Sequence, residues 1–134
     1  RFICFTEDGS GIVPGVEILP LPPMDLPPGK ERGWRKLSTF QSPLYDLTGP
    51  TLFIDLDVVI TGSMDEFFDL PGEFHIIHDW AKPWRITGNS SVYRFRIGAH
   101  PEVLDRFRTE HEAIRARLRN EQAWLSEVLH EQGK

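Results

Sequence analysis

The run Leu52-Phe53-Ile54-Asp55-Leu56-Asp57-Val58-Val59-Ile60 sets two carboxylates, two residues apart, inside the richest apolar stretch of the chain. Thr51 to Ile54, after the turn signal Thr48-Gly49-Pro50, has the composition of a buried strand. Side chains at i and i+2 of a strand point the same way, so Asp55 and Asp57 are expected together at the strand's end. Two like charges there are unfavourable unless a cation lies between or beyond them, and a divalent ion is the simplest answer. Oxygen ligands favour magnesium or manganese, which keep positions open for water and for diphosphate oxygens. An Asp-x-Asp pair alone also ends strands as a turn former or helix cap, so its surroundings decide.

Those surroundings alternate strand-like with helix-like runs, the pattern of an α/β domain with a mostly parallel sheet covered by helices. Strands are predicted over Phe2 to Thr6, Thr51 to Ile54, Phe74 to His78 and Ser91 to Ile97, and a second short apolar run spans Val16 to Leu19. The segment from Ser91 alternates Val92, Arg94 and Arg96 with Tyr93, Phe95 and Ile97, which predicts a half-exposed strand. Residues 20–29, rich in proline, form an extended surface connection. Trp34, Leu37 and Phe40 recur every three residues and predict a helix that Ser42-Pro43 stops. Ser63-Met64-Asp65-Glu66 has capping-box spacing before Phe67-Phe68. From Pro101, the positions Val103, Leu104, Phe107, Ile114 and Leu118 mark the inner face of a long helix whose arginine-rich remainder is expected in solvent. Asn120 is placed to cap a final helix with Trp124, Leu125, Val128 and Leu129 inward, ended by Gly133.

A length of 134 residues suits one domain, taken here as residues 1–134. Fifteen basic against twenty acidic side chains give a net charge of -5, which argues against a sequence-independent nucleic-acid partner. No apolar run is long enough to span a bilayer, and the lone Cys4 cannot form an intrachain disulfide, so a cytoplasmic setting is the default expectation. Arg1 is not an initiator methionine, and strand-like sequence starts at once, as expected of a piece of a longer protein.

The run from Phe53 to Phe68 resembles the segment around the Asp-x-Asp motif of GT-A glycosyltransferases, closest to the family-8-type enzymes that use nucleotide sugars. In the same order along the chain, Phe2 to Asp8 is similar to that family's second strand and Gly33-Trp34-Arg35-Lys36-Leu37 to its helix before the motif. Gly88-Asn89-Ser90-Ser91-Val92 is similar to its Asn-Ser segment, and Glu121-Gln122 to its Asp-Gln pair, with glutamate where aspartate is more usual. The resemblance implies a GT-A, Rossmann-like nucleotide-diphospho-sugar transferase fold, here incomplete, with its first strand before Arg1 and no match after Gln122 for a metal-binding C-terminal histidine. It implies that Asp57 ligates manganese or magnesium and that Asp55 binds the same ion or the nucleotide. Asp8, Lys36, Asn89 and Ser90 would contact nucleotide, donor sugar or acceptor, and Glu121 and Gln122 would stand near the anomeric carbon. The implied reaction moves a sugar, from a UDP-sugar above all, to an acceptor with retention of configuration.

Several features have plainer explanations. His75 and His78, three apart on a strand, face opposite sides and suit core or surface better than one shared ion. Gly9-Ser10-Gly11 lacks the spacing of a phosphate loop and suits a turn. Trp34 and Trp124 fall on apolar stripes, whereas Trp80 and Trp84 lie in a polar loop or site wall and are expected exposed. The same aspartates also resemble the first motif of haloacid-dehalogenase-type phosphohydrolases, with Asp55 as nucleophile, but no later acidic pair follows. A non-catalytic remnant domain is the third possibility.

Overall fold

A computed structural model describes residues 1–81, 84 and 87–131. The expected helix stop at Gly133 and the Lys82-Pro83 part of the tryptophan loop lie outside them. The chain is mixed α/β, with strands β1 (Ile3–Phe5), β2 (Glu17–Leu19), β3 (Pro50–Ile54), β4 (Phe74–His78) and β5 (Gly88–Arg96). Helices α1 (Glu66–Asp69), α2 (Glu102–Arg117) and α3 (Glu121–Glu131) are joined by one 3-10 helix, Trp34–Phe40. Among the described residues no helix is long and apolar enough to cross a membrane.

The sheets correct the expectation of a mostly parallel arrangement. Only β1 and β2 pair in parallel, while β3 and β4 flank β5 antiparallel on either side. Cross-strand side chains account for the preference: Phe53 sits opposite Tyr93, Phe74 opposite Phe95 and Ile76 opposite Tyr93. As the central strand, β5 is covered on both faces. Arg94, assigned by the alternation to an exposed face, is buried instead and donates to the Gly72 carbonyl at 2.7 Å.

The three-residue spacing of Trp34, Leu37 and Phe40 is that of a 3-10 turn, in which i and i+3 superpose, and the segment adopts it. Ser38 and Thr39 hydroxyls reinforce it by donating to the carbonyls three residues back, Arg35 and Lys36, each at 2.7 Å. The Ser63 capping box does not form: α1 opens at Asp65, whose N–H the Ser63 hydroxyl accepts. Helix α2 is interrupted at Glu110 (φ -115°, ψ 15°), so its expected continuous face bends. Asn120 does cap α3, accepting the Ala123 N–H at 3.2 Å.

One apolar core joins the 3-10 helix, β5, α2 and α3. Trp34 stacks on Phe107 with ring centroids 4.9 Å apart, and Trp124 donates its indole N–H to the Val103 carbonyl at 3.0 Å. Trp34 and Trp124 are buried, whereas Trp80 and Trp84 are exposed, each as its surroundings predicted. Because Phe107 is fully buried beneath Trp34, Phe107→Ala is expected to cost about 3–5 kcal/mol, read as a lower urea midpoint with an unchanged denaturant slope.

Candidate functional site

Five of the residues singled out in the sequence arrive at one place from four separate segments. The 3-10 helix supplies Lys36, the residue after β3 supplies Asp55, the start of β5 supplies Ser90, and the first turn of α3 supplies Glu121 and Gln122. Both Asp55 carboxylate oxygens lie 2.8 Å from Lys36 Nζ. On its other side the same ammonium stands 3.3 Å from Glu121 Oε1, the oxygen that also accepts the Ser90 hydroxyl at 2.5 Å. Glu121 is buried, with side-chain exposure of 5%, against 22% for Lys36 and 21% for Asp55. A carboxylate so enclosed requires donors, and Lys36 and Ser90 supply them.

The local backbone explains why Ser90 and Gln122 meet. The ladder between β4 and β5 jumps from Ile76 opposite Tyr93 to Ile77 opposite Asn89, so residues 90–92 of β5 have no partner on β4. The released N–H groups are satisfied by side-chain amides: Gln122 Oε1 accepts from Ser90 at 3.1 Å and Asn89 Oδ1 accepts from Ser91 at 2.9 Å. With both carbonyl oxygens engaged this way, the NH₂ ends of Gln122 and Asn89 remain as donors. Ser126 continues the network, accepting the Gly88 N–H at 3.0 Å and donating to the Gln122 carbonyl at 2.8 Å.

Gly33 was not foreseen as part of this arrangement. It precedes the 3-10 helix with φ 81°, and a Cβ there would fall 2.2 Å from Glu121 Oε2. Only glycine permits both the left-handed backbone and so close an approach to the carboxylate. The signal in the sequence was a glycine at the start of a helix that carries a functional lysine. Tyr93, also missed, lies beneath the cluster with its hydroxyl 3.2 Å from Thr39 Oγ1. Burial pushes that phenol well above its ordinary value, and the negative charges of Glu121 and Asp55 push it in the same direction, against the hydrogen bond with Thr39.

Two expectations are corrected. Strand β3 ends at Ile54, and Asp55 to Asp57 form a turn closed by the Val58 N–H on the Asp55 carbonyl at 3.2 Å. The aspartates therefore do not share a strand face: Asp55 turns in to Lys36, while Asp57 is exposed and makes no hydrogen bond or ion pair among the described residues. Asp8 does not join the cluster. Its carboxylate accepts the Ser10 N–H at 2.9 Å, which closes the turn after β1 and holds the acid below its usual range. Among the described residues no three His, Cys, Asp or Glu side chains gather as a metal cage. A magnesium-like ion takes one or two carboxylates together with water and phosphate oxygens; Asp57, without a partner among the described residues, fits the part of a single carboxylate donor, whereas both Asp55 oxygens are held by Lys36.

Comparisons with protein-family models, curated proteins and solved structures match nothing to this chain, so function is argued from the geometry of this cluster. Two measurements test the geometry. Lys36→Met leaves two carboxylates facing one another and is expected to cost about 3 kcal/mol in chemical denaturation, with part recovered in Lys36→Met/Glu121→Gln. Gly33→Ala is expected to cost roughly 2–4 kcal/mol through its strained backbone and the displaced Glu121. A neutral result for either substitution would contradict the close packing of Gly33, Lys36 and Glu121.

Proposed function

We propose that the chain is a GT-A-like domain of a metal-dependent glycosyltransferase, moving a sugar from a nucleotide-sugar donor, a UDP-sugar, to an acceptor. One observation carries this reading: Lys36, Asp55, Ser90, Glu121 and Gln122 come from distant parts of the chain and converge through hydrogen bonds and ion pairs beside an exposed Asp57 that has no ion pair among the described residues. These are positions selected by the family resemblance, from which Asp8 stands apart and to which Asn89 is joined only through the adjoining backbone of β5. Retention of anomeric configuration is the course that the resemblance implies.

In this reaction the residues divide the work. Asp57, together with water and the diphosphate oxygens, would hold a manganese or magnesium ion, while Asp55 stays on Lys36. When bound, that ion supplies charge neutralisation of the diphosphate leaving group. Lys36 holds Asp55 and Glu121 in place, its charge taken up by these two carboxylates. Glu121 serves as a positioning residue, since its Oε1 is already taken by Ser90 and Lys36. Gln122 and Asn89, anchored through their carbonyl oxygens, direct NH₂ donors at sugar hydroxyls.

A phosphohydrolase using Asp55 as nucleophile has less support. Both of its oxygens face Lys36, and the sequence holds no later Asp-Asp pair for the magnesium of that chemistry.

Calorimetric titration with uridine diphosphate provides the test. Binding is expected to be one-to-one and to require manganese, and Asp57→Ala should abolish the metal-dependent part while leaving the thermal midpoint unchanged. Binding that ignores manganese, or that survives Asp57→Ala intact, would overturn the proposal. Failure to bind at all would favour a non-catalytic domain.

A further inference from the structure

On the other side of Gly33 lies an open cleft of about 340 Å³, lined by Lys30, Arg32, Trp34, Arg115 and Arg119. Four of these five residues are cationic, in a chain whose net charge is -5. The cleft is built from two segments far apart in sequence, and Arg32 ties them by donating to the Arg119 carbonyl at 3.3 Å. Arg115 was expected on a solvated helix face. It is instead half-buried, its guanidinium stacked over the Phe107 ring at 5.4 Å, and its Nε is enclosed without a hydrogen-bond partner.

Among the described residues no counter-charge serves this group. Lys30, Arg115 and Arg119 form no ion pair among the described residues, and Glu31, the acid nearest in sequence, is turned away to accept the Arg35 N–H at 3.2 Å. Like charges gathered in a cleft repel one another, and a buried unpaired guanidinium N–H leaves a desolvation cost unmet. An oxyanion with several acceptor oxygens relieves both at once, and the planar guanidinium fork suits phosphate geometry. Gly29 leaves room for Arg115 to reach the cleft, since a Cβ there would fall 2.9 Å from its Nη1.

We propose that this cleft is a metal-independent binding site for a phosphate group, separate from the Asp55–Asp57 turn. The charge is supplied by Arg115 from the end of α2, by Arg119 from the link between α2 and α3, and by Lys30 and Arg32 from the approach to the 3-10 helix, with Trp34 as the apolar floor. Because it needs no divalent ion, the site stands independently of the transferase proposal.

The test is calorimetric titration of the whole chain with inorganic phosphate, pyrophosphate and glucose 6-phosphate, in chelator and at low salt. One-to-one binding is expected that weakens steeply as salt is added. Lys30→Gln/Arg32→Gln, both exposed, should weaken it by about tenfold, and Arg115→Gln/Arg119→Gln by more, with unfolding midpoints recorded alongside. Glucose 6-phosphate binding more tightly than inorganic phosphate assigns the cleft to a sugar phosphate, and equal affinities assign it to the free anion. Absence of binding in chelator, or binding indifferent to the Lys30/Arg32 pair, overturns the proposal. Either result leaves the manganese-dependent uridine diphosphate titration to stand or fall alone.

Discussion

A buried carboxylate at the start of a helix needs a cation, and in this chain Glu121 obtains it from Lys36. The pairing fixes more than charge. Lys36 reaches Glu121 only because the 3-10 helix is held close to α3, and that closeness depends on Gly33 having no side chain. Asp55 meets the opposite side of the same ammonium, which ties the end of β3 into the contact. One cation thus joins three elements whose backbones share no ladder. Two carboxylates around one ammonium leave a negative balance at the rim, where the exposed Asp57 adds to it.

Tyr93 connects this polar cluster with the apolar core. Its ring stacks on Phe53 at 4.7 Å and lies 5.9 Å from both Phe40 and Phe74, so β5 is clamped between its neighbours only a few residues beyond the irregular stretch that carries Ser90. The aromatic layer is rigid while residues 90–92 are freed from β4, and the two properties belong together. A strand that leaves its ladder keeps a defined course only if it is anchored on either side. Gln122 and Asn89 anchor the freed backbone from one end and Tyr93 from the other.

Patterns of apolar residues made most elements legible, because burial imposes a period that sequence can show. The stripes through Val103, Leu104 and Phe107 and through Trp124, Leu125 and Val128 became helices with those faces inward. Partners were harder to read than elements. Nothing local to Thr51–Ile54 or Gly88–Arg96 says that the strands run antiparallel, since pairing is decided by which rings meet across the sheet. Arg94 and Arg115 mark the same limit: their periodicity placed them in solvent, whereas loops and rings from elsewhere in the chain cover them. Family resemblance gathered Lys36, Asp55, Ser90, Glu121 and Gln122, but it did not separate those bonded to one another from Asp8, which the turn at Ser10 retains.

The division within Asp-x-Asp follows from where β3 stops. Had the strand continued, both carboxylates would have shared a face and competed for the same cation. Ending the strand at Ile54 and closing a turn on the Asp55 carbonyl separates them, one turned inward to Lys36 and one left in solvent. A carboxylate already neutralised keeps its place without a ligand, so the turn needs no metal to hold its shape. The exposed carboxylate, with no ion pair among the described residues, is the one of the two whose oxygens stay open to solvent. The same residue pair therefore plays two different parts in the domain, one member tying β3 to the 3-10 helix and the other facing solvent, because geometry has given them different neighbours.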